Sequence, residues 1–187
     1  MRLDENSIKK YNLSEDEINL TMSGYIPMSI KANDYFLEEG KVCNYIGFVT
    51  KGLFRSYFYD DNANEITTDF FSEGSLIIAF DSFNNRTPSK EYIKAIVDSE
   101  LMSVSYEKQK ELYEKVPAWN QICKDLADVK SREMLERASR FQTMSASERY
   151  TEFCKEYPDI LQRATLGHIA SYIGIDIATL SRIRKKK

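Results

Sequence analysis

TLGHIASYIGIDIATLSRIRKKK, residues 165–187, is the stretch whose reading decides the fold. Leu166, Ile169, Ala170 and Ile173 recur at helical spacing and mark one inward face. Gly174 interrupts that pattern, and Ile175 and Asp176 follow it. A second helical pattern then begins, with Leu180 and Ile183 inward and Ser181, Arg182, Arg184 and Lys185 outward. Ala170 is small where two helices would cross closely. Gly174 can take the left-handed backbone that ends a helix, free of the Cβ penalty. Ile175 closes the small core between the helices. Asp176 can accept hydrogen bonds from the free N–H groups that open the second helix. Two short helices, a glycine turn and a basic second helix are the parts of a DNA-binding helix-turn-helix.

Charge supports that expectation. From Arg163 onward there are six Lys/Arg and one Asp, a net +5, whereas the whole chain is −3, so residues 1–162 carry −8. Cationic charge gathered into one small segment is what phosphate binding requires. Thr165, Thr179, Lys186 and Lys187 are expected to touch phosphates, which position a protein without specifying sequence. The single histidine, His168, falls on the polar side of the first helix and is expected to face solvent or phosphate.

Working outward, 187 residues allow one large or two small domains with real cores. No apolar run approaches the ~20 residues of a membrane helix, and the N-terminus lacks the apolar core of a signal peptide, so a cytoplasmic protein without a membrane partner is expected. Cys43, Cys123 and Cys154 are scattered, which suits reduced, packed thiols rather than a metal knuckle. One histidine also argues against a Ser-His-Asp triad or a cupin-type metal enzyme, so no enzymatic activity is expected.

Residues 7–24 read as helical, with a Ser14-x-x-Glu17 capping box and a stop at Gly24. From about Ile26 to Ser105 the period shortens. Seven or eight β-branched and aromatic segments, punctuated by turns such as Glu39-Gly40, Lys51-Gly52 and Glu73-Gly74, predict an antiparallel sandwich or barrel with no intervening helix. A short helix over 107–113 precedes Pro117. A long helix follows over 118–144, free of Gly and Pro, and apolar positions on a second face could pair it with the same helix of another copy. A helix over 146–156 opens at Ser145, and Pro158–Leu161 is read as a lead into the motif. The expected fold is α+β, in three parts: 1–117, an effector-sensing antiparallel jelly roll with an N-terminal helix; 118–144, a dimerisation helix; and 145–187, a helix-turn-helix domain.

A barrel, a long helix and a C-terminal helix-turn-helix, in that order, resemble the Crp/Fnr family of bacterial transcription regulators. The resemblance rests on Glu39-Gly40, Tyr45–Val49, Lys51–Arg55, Phe70–Gly74 and Ile169–Arg184. It implies a cyclic-nucleotide-binding-like jelly roll, a homodimer through the long helix, a winged helix whose wing is missing or reduced here, double-stranded DNA as partner, and RNA polymerase as a partner of an activator. It also implies an effector cassette at Gly74, Ser75, Leu76, Phe83, Arg86, Pro88 and Ser89, which suits a small-molecule effector or none. Ser75 stands where cyclic-AMP-binding members have Glu, and Pro88 where they have the phosphate-pairing Arg, so cyclic AMP is not expected. No N-terminal cysteine cluster or barrel histidine suggests an iron–sulfur or haem cofactor. By the same resemblance Arg182 falls on a base-contacting arginine, while the family's upstream Arg-Glu pair becomes Ile177-Ala178. Thr165, His168, Ile177, Thr179, Ser181, Arg182, Arg184 and Lys185 form the expected DNA-contacting set. The competing reading is a ligand-sensing module with a degenerate DNA-binding end.

Overall fold

The short, turn-punctuated segments form eight strands, β1 (Ile26–Ile30), β2 (Tyr35–Leu37), β3 (Tyr45–Lys51), β4 (Phe54–Tyr59), β5 (Glu65–Phe71), β6 (Leu76–Ile77), β7 (Tyr92–Ala95) and β8 (Ser99–Ser105). The structure, a computed structural model, describes residues 10–185. The strands pair antiparallel into two four-stranded sheets, β1-β8-β3-β6 and β2-β7-β4-β5. Leu37, Val49, Phe54, Phe71, Ile77, Ile93 and Leu101 fill the space between them. Gly47 shows how tight that space is: a Cβ there would sit 2.6 Å from both Ile77 and Leu101.

Eight helices lie wholly within the described residues: α1 (Glu15–Ser23), α2 (Phe80–Asn85), α3 (Tyr106–Lys115), α4 (Trp119–Thr143), α5 (Ala146–Glu156), α6 (Pro158–Arg163), α7 (Leu166–Tyr172) and α8 (Ile177–Lys185). Both capping boxes form: Ser14 and Ser145 accept from the N–H groups of Glu17 and Glu148, whose carboxylates reach back to the serine N–H groups. α4 spans ~37 Å at 1.5 Å per residue. Among the described residues no helix is long and apolar enough to cross a membrane.

Three expectations need correction. The helical stretch does not run continuously over 7–24; Lys10 and Tyr11 are helical, Asn12 with a left-handed φ of 53° interrupts, and a new helix starts at Glu15. Residues 7–9 lie outside the described residues. The strands do enclose a helix, α2, whose six residues end where Arg86 adopts φ 56°. The two-residue strand β6 is too short to show periodicity. Finally, the lead into the motif is helical: Pro158 occupies the first turn of α6, where its missing N–H leaves no bond unmade.

Candidate nucleic-acid interface and effector region

The glycine turn between α7 and α8 is built as its residue types require. Gly174 has φ +68°, and Ile175 N–H reaches back to the Ala170 carbonyl (3.0 Å), the long-range bond of a Schellman closure. A Cβ on Gly174 would meet Phe141 of α4 at 2.5 Å, so glycine is also required by packing. Ile169, Ala170, Ile173 and Leu180 are buried between the two helices.

Asp176 opens α8. Its carboxylate accepts from Thr179 N–H (2.7 Å) and from the Thr179 hydroxyl (2.8 Å), which hold it below the usual carboxylate range. The Thr179 hydroxyl in turn accepts from the Arg182 guanidinium (2.9 Å). Arg182 is therefore pre-positioned on the solvent face by a chain of hydrogen bonds from the helix cap. Ile177, Ala178, Arg182, Arg184 and Lys185 are exposed, and Thr179 and Ser181 are half-buried. Thr165 is exposed at the start of α7, where its hydroxyl accepts from His168 N–H (3.2 Å). Lys186 and Lys187 lie outside the described residues.

His168 departs from expectation. It is half-buried, its Nδ1 has no hydrogen-bond partner among the described residues, and burial, with the charge of Arg55, pushes its pKa down to about 4 against the opposing pull of Glu65. The reason is that α7 packs against β5, the edge strand of its sheet. Ser171 of α7 caps that edge: its Oγ accepts from Thr67 N–H (2.8 Å) and donates to the Glu65 carbonyl (2.9 Å). Arg137 of α4 donates to the carbonyls of Thr67 (3.2 Å), Thr68 and Tyr172 (3.0 Å), joining β5, α4 and α7. Arg163 pairs with both oxygens of Glu73 (2.9 Å each), which lowers the Glu73 pKa to about 2. Arg149 holds the end of α7 from the other side, through the carbonyls of Ile173 and Met144 (2.8 Å each). Sequence reasoning missed Ser171, Arg137, Arg149 and Arg163 as links, because their partners are backbone groups or a distant carboxylate that leave no periodic signal.

The cassette residues do not converge on one point. Gly74 (φ +85°) and Ser75 form the β5–β6 turn, bonded to both backbone groups of Val49. Arg86 donates to the Cys43 carbonyl (2.7 Å), also contacts Asn44, and stacks 4.0 Å from the Tyr106 ring. Its charge is thus spent within the fold. Pro88 is exposed and pairs with Val42, while Ser89 is buried and donates to the Glu91 carbonyl (2.9 Å). Leu76 and Phe83 face a separate groove beneath α3 and α4.

Comparison with known proteins agrees with this architecture. Residues 27–116 match the cyclic nucleotide-binding domain family. No curated protein sequence matches the chain. Among solved structures, the c-di-GMP-responsive global regulator CLP of Xanthomonas campestris is similar at 15% identity and TM-score 0.72, over 92% of this chain and 91% of that one. FixK2 of Bradyrhizobium japonicum gives 15% identity and TM-score 0.76, over 87% and 83% of the two chains. A protein assigned to the Crp/Fnr family of transcriptional regulators, from Eubacterium rectale, gives 16% and 0.75, over 96% and 85%. The chain therefore carries a cyclic nucleotide-binding-type β domain, a long helix and C-terminal helices in the fold of Crp/Fnr regulators.

Proposed function

We propose that this protein is a sequence-specific, DNA-binding transcription regulator of the Crp/Fnr type rather than an enzyme, acting in the cytoplasm as a homodimer. The observation that carries this is the exposed face of α8, where the Asp176–Thr179 cap presents Arg182 beside Arg184 and Lys185. An arginine so held has donors left for guanine O6 and N7, the commonest specific contact in the major groove. Ile177 and Ala178 offer only apolar contact, such as a thymine methyl. Thr165 at the opening of α7 suits a phosphate. His168, turned toward the barrel, is not placed as a direct contact in this arrangement. Each copy reads a half-site, and α4 supplies the pairing surface through large apolar side chains left in solvent, Leu135 at 70% and Val129 at 45% exposure. An activating member would also meet RNA polymerase.

The β domain is the sensing half. A cyclic AMP cofactor is disfavoured, since Ser75 and Pro88 occupy the positions of its expected partners and Arg86 is committed to backbone carbonyls. Selection from a pool of random duplexes tests the function. The expected product is a two-fold symmetric site whose half-sites lie one helical turn, ~34 Å, apart. Recovery of no motif, with binding that follows only total charge, would contradict the proposal.

A further inference from the structure

A cavity of about 300 Å³ lies between the outer face of sheet β1-β8-β3-β6 and helices α2, α3 and α4. It is separate from the space between the sheets. Gly47 points inward at Ile77 and Leu101, so its neighbours Ile46 and Phe48 face the opposite way and, with Val104, form the floor. Phe83, Trp119 and Leu126 form the walls. The volume falls at the lower end of small-molecule sites, ~300–1,000 Å³.

Two polar groups in this apolar lining lack partners. Gln109 and Trp119 are only 3% and 4% exposed. The Gln109 amide donates to Cys123 Sγ (3.2 Å), which leaves its carbonyl oxygen unbonded, and the Trp119 indole N–H has no acceptor. Buried donors and acceptors in native folds are nearly always satisfied, so an orphaned donor and an orphaned acceptor on residues that line one cavity are the polar groups that an occupant could reach by a small shift of either side chain. Among the lining residues Lys124 is the one cation, and it is exposed, so an anion placed inside would lose its water without gaining a partner.

We propose that this groove is a binding site for an uncharged, mainly apolar small molecule with one hydroxyl group. A hydroxyl both accepts and donates, so it can serve the Trp119 N–H or the Gln109 carbonyl. The inference rests on the regulator reading and moves the effector out of the turn at Gly74–Ser75 and the segment at Pro88–Ser89. Trp119, Ile122 and Leu126 are at the root of α4, and the far end of that helix, at Arg137 and Phe141, holds α7 and its turn. Occupancy of the groove therefore loads the element that positions the DNA-reading helix.

Trp119 is the only tryptophan of the chain, so intrinsic fluorescence reports directly from the site. The full-length protein is titrated with 4-butylphenol, with butylbenzene, which lacks the hydroxyl, and with cyclic AMP. The expected result is a saturable emission shift with 4-butylphenol at least tenfold tighter than with butylbenzene, and none with cyclic AMP. Ala127→Phe, which fills the edge of the groove, should weaken the phenol at least tenfold. Gln109→Leu should narrow the gap between the two probes. No saturable shift, equal affinity for both probes, or unchanged binding by a folded Ala127→Phe variant would overturn the proposal. So would an emission shift on raising protein concentration alone, which would mean that a second copy covers the groove. Gel shift on the same preparations separates the two readings: retained DNA binding without probe binding sinks only the groove, and probe binding without DNA binding sinks only the regulator.

Discussion

Asp176 illustrates how one short side chain can serve stability and, on the proposed reading, recognition as well. It satisfies the opening N–H of α8 and fixes the Thr179 hydroxyl that holds Arg182. The cap and the glycine turn were legible in the sequence because each is local, with partners within six residues. His168 was not legible. Its environment comes from Glu65, Arg55 and Lys94, more than seventy positions away. With its folded pKa lowered from 6.5 to about 4, chiefly by burial, the folded protein resists a proton that the unfolded chain accepts. Stability therefore falls as pH drops from 6.5 toward 4. His168→Gln should remove that component. Between pH 6.5 and 4.5 the native protein should lose about 1 kcal/mol more than the variant in urea unfolding, after allowing for residual solvent. Glu73, held near 2 by Arg163, weakens both proteins alike below pH 4.5. Equal pH slopes for the two would show that burial of His168 contributes nothing.

At the scale of elements, legibility followed length and repetition. The seven longer strands and the 25-residue helix α4 declare themselves by period and by turn residues. β6 has two residues and α2 and α6 have six each, too few for a pattern to emerge. Within the polar run Lys130-Ser131-Arg132-Glu133 of α4, only Lys130 faces the barrel, and the other three are exposed. Lys130 turns to the barrel and pairs with Asp69, whose carboxyl burial pushes up, rather than interrupting the exposed seam. That leaves Leu135, the most exposed large apolar side chain of α4, in open solvent in a single copy. Leu135→Glu should convert a micromolar dimer to a monomer by light scattering, with unfolding midpoints unchanged. A native protein that is already monomeric would remove the dimer from the account.

In the whole molecule, the β domain and the C-terminal helices α5–α8 form one packed unit. Leu53 and Phe70 from the barrel join Tyr150, Phe153, Ile169 and Leu180 in a single hydrophobic cluster, with the Phe70 and Tyr172 rings 5.2 Å apart. Ser171 and Arg137 cap the edge of β5, which would otherwise present unpaired backbone groups. None of this was readable from the sequence, since residues 104 and 106 positions apart are joined by a serine that looks like any other. The consequence is mechanical. On the proposed reading, a change in the barrel or at the root of α4 would reach α7, and through the Gly174 turn α8, along these direct contacts. The account as a whole stands on α8 reading bases. The most direct measurement is the affinity of Arg182→Ala for the selected duplex and for random duplex of the same length at fixed salt. The account predicts a loss of ~1–3 kcal/mol on the selected site and little on random DNA. An equal loss on both would show that Arg182 meets only phosphate and would contradict sequence reading by this helix.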